Sequence, residues 1–167
     1  MPFFSNLIFN LVSFASKNGL TSPPDPKLGR AGSRAQGRTK AQVNAKETGI
    51  RGETFAYWHL RRHGYVMIAK NYTVHGIKGE IDLIGYDGEV LAFIEVKTRT
   101  PGERALGTPE EAVTPEKRHN LTRMARHFLT DQRIPKAQCR FDVLAIENRS
   151  GKPPLARLHK GAFTEQG

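Results

Sequence analysis

The stretch GEIDLIGYDGEVLAFIEVKTR, residues 79–99, constrains the fold more than any other part of the chain. Two apolar runs flank Asp87-Gly88, and Asp-Gly between alternating apolar runs is a strong signal for an antiparallel hairpin with a two-residue turn. With Asp87-Gly88 as that turn, Tyr86 faces Glu89, Ile84 faces Leu91, Asp82 faces Phe93 and Glu80 faces Glu95. Side chains alternate along a strand. Asp82, Glu95 and Lys97 are therefore expected on one face, and Ile81, Leu83, Ala92, Ile94 and Val96 on the other.

The acidic face also carries Ile84, Leu91 and Phe93, so it is partly covered rather than wet. On this register Asp82 and Glu95 are diagonal neighbours, with backbones ~7–8 Å apart. Two carboxylates aimed at one spot repel by about 4 kcal/mol at 4 Å with an effective dielectric of 20. Lys97 supplies one compensating charge and a divalent ion would supply two. Oxygen ligands without His or Cys favour a hard ion, Mg²⁺ or Mn²⁺, with substrate phosphate and water completing its shell. The competing reading is an ordinary i, i+2 charge pair between Glu95 and Lys97 on a solvated face.

Around the hairpin the pattern predicts the other elements. AKETGIRGETFAYWHLRRHGY, from about residue 45, reads as a helix ending at Gly64, with Glu53, Ala56 and Leu60 on its inward stripe and Gly49 and Gly52 allowing close approach to a sheet. YVMIAKNYTV reads as a strand. Thr114-Pro115 supplies an N-cap and a first-turn proline to a second helix, whose Leu121, Met124, Ala125, Phe128 and Leu129 recur at helical spacing. CRFDVLAIE is a further strand and LARLHKGAF a last, shorter one. Helix, three strands, helix, strand gives an α/β fold with a mixed central sheet flanked by helices.

The chain's net charge of +10 points to an acidic partner. Residues 17–46 hold seven Lys or Arg against the single Asp25, a net +6 that leaves +4 to the rest. The second helix carries Lys117, Arg118, Arg123 and Arg126 away from its apolar stripe, a one-signed face suited to phosphodiesters. Trp58 and Tyr57 read as core rather than base-stacking platforms, and the histidines show no ligand spacing.

Residues 17–44 are rich in Gly, Pro, Ser and basic side chains without apolar period, and read as a disordered linker ahead of a domain spanning 45–167. Residues 1–16 are apolar and uncharged, with Phe4, Leu7, Ile8, Leu11 and Val12 at helical spacing. They lack the leading positive charge of a secretory signal and the ~20 apolar residues of a membrane span. A surface-lying helix would make the chain a membrane-adjacent interaction protein, and a plain extension is the alternative. One cysteine, Cys139, and no Cys/His zinc spacing fit a reducing, cytoplasmic setting.

A helix glutamate, a strand aspartate and Glu-x-Lys on the next strand resemble the signature of the PD-(D/E)XK nuclease superfamily. GETFAYWHLRRHGY, GEIDLIGYDGEVLAFIEVKTR, TPEEAVTPEKRHNL and CRFDVLAIE more closely resemble the YraN-like family of bacterial proteins, described as endonuclease-like and similar to archaeal Holliday junction resolvases. The resemblance covers roughly residues 46–163, and the approach to Gly79 through HGIKG is longer than the family usually shows.

It implies a restriction-endonuclease-like αβββαβ core, with Glu53, Asp82, Glu95 and Lys97 as catalytic residues. Asp82, Glu95 and the Val96 carbonyl would hold Mg²⁺ or Mn²⁺, and Lys117 matches the basic residue of a Thr-Pro-x-Lys turn. The implied activity is endonucleolytic hydrolysis of structured or branched DNA, without a small-molecule cofactor, by a chain that pairs as a homodimer as resolvases do. A catalytically silent nucleic-acid-binding module with the same fold is the alternative.

Overall fold

The computed structural model describes residues 40–99 and 113–164. Helix α1 (Lys40–Arg62) buries Gly52, Ala56 and Leu60, the four-residue spacing that lays one helix face against a sheet. It stops at Gly64, where φ is +88°, a left-handed conformation that glycine adopts without steric cost. The helix starts five residues ahead of residue 45. No Gly or Pro interrupts Lys40–Thr48, so the backbone continues helical into the segment expected as linker.

Strands β1 (Val66–Tyr72), β2 (Ile81–Asp87) and β3 (Val90–Arg99) follow, then α2 (Pro115–Asp131), β4 (Cys139–Arg149) and β5 (Lys152–Phe163). They form a five-stranded sheet in the order β1-β2-β3-β4-β5. All neighbours are antiparallel except β3 and β4. A parallel pair needs a crossover connection, and α2 lies within it. Thr114 caps α2 by accepting from the Lys117 N–H, with Pro115 in the first turn as expected. The result is an α/β fold with a mixed sheet and a helix on each side, in the restriction-endonuclease-like arrangement. β5, at 12 residues, is longer than the short strand expected.

The helices define two cores. Against α2 lie Ile68, Ile81, Ile84, Leu91, Phe93, Phe141 and Val143, with Leu121, Met124, Ala125 and Phe128 from the helix. Against α1 lie Met67, Leu83, Ala92, Ile94, Leu144 and Ile146, with Ala56 and Leu60. The faces expected for the hairpin are thus observed, except that Ile81 joins the α2 side instead of that of Leu83. Trp58 and Tyr57 are half-buried on α1, edge to face at 5.2 Å between ring centroids.

The hairpin register differs by two residues from the expected one. Asp87 pairs with Val90, Tyr86 with Leu91 and Leu83 with Ile94, so the turn is Gly88-Glu89. Gly88 has φ of +62° while Glu89 does not have positive φ, the requirement of a turn with glycine at its first central position. A shift of two preserves every residue's face. The pairing runs from Asp87 with Val90 to Leu83 with Ile94, one step short of Asp82 and Glu95.

Gly52 sets how closely α1 lies on the sheet, because an added Cβ would stand 1.9 Å from Thr98 Oγ1. Nothing lies within 4 Å of a Cβ at Gly49, which plays no such part. Gly52→Ala is expected to destabilise the fold by about 1–3 kcal/mol through overpacking, whereas Gly49→Ala should gain up to about 1 kcal/mol from helix propensity. Urea titrations of the two variants check this, and equal effects at both positions would contradict it.

The apolar segment 1–16, linker residues 17–39, residues 100–112 and residues 165–167 lie outside the described residues. Among the described residues no helix is long and apolar enough to cross a membrane.

Candidate active site

β2 delivers Asp82 just after its start and β3 delivers Glu95 from its middle, and both are buried, at 8% and 5% exposure. Charged side chains at that depth need partners. The Asp82 Oδ2 accepts the Val96 N–H at 2.6 Å. Glu95 is approached by two ammonium groups: Lys97 Nζ lies 2.9 Å from Oε1, and Lys117 Nζ lies 3.2 Å from Oε2. Lys117 also donates to the Glu80 carbonyl at 3.1 Å. Although Lys117 is close to it, Glu95 Oε2 accepts no hydrogen bond from the described residues.

Burial, and then the neighbouring charge of Glu95, push the Asp82 carboxyl up to about 7, against the opposing pull of the Val96 N–H and Lys117. Glu53 adds a smaller repulsion. It is half-buried on α1 and is held by Asn71, whose amide donates to Glu53 Oε2 at 3.1 Å and to Glu80 Oε2 at 3.5 Å. Asn71 sits at φ of +50°, a left-handed conformation that asparagine tolerates better than most residues.

Folding therefore brings Asp82, Glu95, Lys97 and Lys117 into one cluster. Glu53 stands beside it, joined through Asn71 and Glu80. Among the described residues no three His, Cys, Asp or Glu side chains form a metal-holding group, so the donors among them amount to the Asp82–Glu95 pair and nearby backbone. Two buried carboxylates, one with an oxygen that no described residue hydrogen-bonds, fit a hard divalent cation that takes its other ligands from water and phosphate. At Val96 the observed contact is made by the amide.

The basic residues expected on one outer face of α2 separate. Lys117 turns into the carboxylate cluster. Arg118 donates to the Val113 carbonyl at 2.9 Å and lies over the Phe163 ring. Arg123 and Arg126 are exposed. Lys117 as a partner of Glu95, and Asn71 as the holder of Glu53, escaped sequence reasoning. The pairs are 22 and 18 positions apart, and no local period links them.

A profile described as "Uncharacterised protein family UPF0102" matches residues 52–146, a span that contains all four clustered side chains. Among similar proteins is a UPF0102 protein of Koribacter versatilis, 44% identical over 121 residues, covering 72% of this chain and 82% of that protein. A UPF0102 protein of Geobacter metallireducens is 40% identical over 121 residues, covering 72% of this chain and 95% of the relative. One from Lachnoclostridium phytofermentans is 37% identical over 126 residues, covering 75% and 99%.

Proposed function

The chain belongs to the uncharacterised protein family UPF0102, and we propose that it is a metal-dependent endonuclease hydrolysing phosphodiester bonds of nucleic acid, with structured or branched DNA as substrate. The observation that carries this reading is a pair of buried carboxylates, Glu95 and an Asp82 that accepts the N–H of the next residue, Val96, with the Lys97 ammonium 2.9 Å from Glu95. The resemblance of Glu53, Asp82, Glu95 and Lys97 to the PD-(D/E)XK signature supports it.

Asp82 and Glu95, with the Val96 carbonyl, would hold Mg²⁺ or Mn²⁺, which when bound supplies a Lewis acid for the phosphoryl oxygen and a more acidic water. Lys97, about one-third exposed, reaches from the carboxylates toward solvent. Its ammonium orients the attacking water or offsets charge developing on the phosphate. Glu53 accepts a proton through an intervening water, held in place for this by Asn71. Exposed Arg123 and Arg126 on α2, together with Arg118, provide positive charge for the sugar-phosphate backbone.

The full chain, incubated with branched, flapped and single-stranded DNA and with RNA, should cut branched DNA in Mg²⁺ or Mn²⁺ and not in chelator. Lys97→Ala should lower the rate by about a hundredfold, the scale of losing one transition-state donor, while leaving nucleic-acid binding in place. Asp82→Ala should likewise lose cutting and keep binding. Binding without metal-dependent cutting of any substrate would replace the nuclease reading with the silent binding module.

A further inference from the structure

The two ammonium groups on Glu95 are not equivalent. Lys97 belongs to the same strand, two residues on, and lies on Oε1. Lys117 comes from the first turn of α2 and lies on Oε2, the oxygen that accepts no hydrogen bond from the described residues. Its Nζ is suspended between that carboxylate oxygen at 3.2 Å and the Glu80 carbonyl at 3.1 Å. A charge set among oxygen atoms in this way sits in surroundings that a hard cation also takes.

Two features make this ammonium displaceable. The lysine side chain is a flexible four-carbon stem bearing a point charge, without the rigid fork of arginine. Its side chain is 26% exposed, so it has a way to solvent. The Lys117 backbone, in contrast, is fixed: its N–H donates to the Thr114 cap.

We propose that Lys117 is a tethered stand-in for the divalent cation. In the free chain its ammonium neutralises Glu95 Oε2, and binding of Mg²⁺ or Mn²⁺ displaces it toward solvent, where it is available to substrate phosphate. This rests on the reading of Asp82 and Glu95 as a metal-holding pair. The stand-in keeps two buried carboxylates compatible with a folded sheet when no ion is bound, and makes metal affinity a competition with the chain's own lysine. Lys117 is thus a positioning residue that changes partner.

The test is a Mn²⁺ titration of the full chain without nucleic acid, reading free Mn²⁺ by electron paramagnetic resonance. Lys117→Met keeps the stem and removes the charge, Lys97→Met does the same on the other oxygen, and Glu95→Gln removes the acceptor. Lys117→Met should bind Mn²⁺ about tenfold more tightly than the wild type, a free-energy difference of about 1.4 kcal/mol, and clearly more tightly than Lys97→Met. Added Mn²⁺ should also raise the melting temperature of Lys117→Met more than that of the wild type. Should Lys117→Met fail to fold, Lys117→Gln, which can still donate to the Glu80 carbonyl, takes its place.

Equal affinity in Lys117→Met and the wild type, or equal gains at both lysines, would overturn the stand-in and leave the metal reading intact. Absence of Mn²⁺ binding in the wild type and in both lysine variants would overturn the metal reading itself.

Discussion

Arg140→Met is expected to lower the free energy of unfolding by about 3–5 kcal/mol, the cost of stranding a buried charge. Asp142, on β4, is fully buried. Arg140 meets it with two hydrogen bonds, Nε to Oδ1 at 2.7 Å and Nη2 to Oδ2 at 3.0 Å, and the Gly161 N–H donates to Oδ1 at 2.9 Å. The same Nη2 reaches Asp87 Oδ2 at 2.7 Å and the Tyr65 hydroxyl at 3.1 Å. Lys160 Nζ adds a contact to Asp87 Oδ2 at 2.6 Å. One guanidinium thereby ties β2, β4 and the start of β1 together at the end of the sheet away from Asp82.

Methionine keeps the volume and removes every donor. Arg140→Met with Asp142→Leu should recover much of the loss, since an apolar pair replaces a buried ion pair at little cost. Urea unfolding followed by Trp58 fluorescence measures both variants. A loss below about 1 kcal/mol for Arg140→Met would mean that water reaches Asp142, as at a surface pair.

The network also has an acid limit. Hydrogen bonds from Lys160 and Arg140 hold the Asp87 carboxyl down to about 2. A depressed carboxyl contributes stability above its unfolded pKa and loses it as pH falls through the folded one. This contribution is therefore complete above pH about 4 and disappears toward pH about 2.

Asp82→Asn should act in the opposite direction and stabilise the protein at pH 8 by about 2–4 kcal/mol, as expected for a carboxyl that burial and then the charge of Glu95 push well above its ordinary range. The group titrates at 3.8 in its ordinary state and at about 7 in the fold. Between these values the folded chain binds more protons than the unfolded one, so this group's contribution falls as pH rises from about 4 to 7 and stays unfavourable above. Asparagine removes the charge and keeps an oxygen able to accept the Val96 N–H.

The advantage of Asp82→Asn over the wild type should shrink as pH falls toward 4, where both side chains are neutral. Urea titrations of the two proteins at pH 8, 6 and 4.5 give the difference directly. A difference that does not change with pH, or a less stable variant at pH 8, would show that the aspartate is not strained by burial. A gain in stability with loss of cutting is the trade-off of a site that gathers like charges for chemistry.

Much of this arrangement was legible in the residues. Asp82, Glu95 and Lys97 share a face because strand side chains alternate with period two, and that parity survives a register error of two. The error arose from the turn: Asp87-Gly88 invites a turn with both residues central, whereas only Gly88 adopts positive φ and Asp87 closes the ladder with Val90. The Arg140 network with Asp142, Asp87 and Lys160 was not read from the residues.

By itself the sequence determined the α/β order, the two faces of the hairpin and the acids on one of them, because periodicity, turn chemistry and helix caps act over a few residues of chain. Only the tertiary structure decided that Lys117 would stand on Glu95, that Asn71 would hold Glu53 and that one arginine would join β2 to β4. Those contacts depend on how helices and strands distant in sequence pack, and a buried charge takes whichever partner that packing brings within hydrogen-bonding reach.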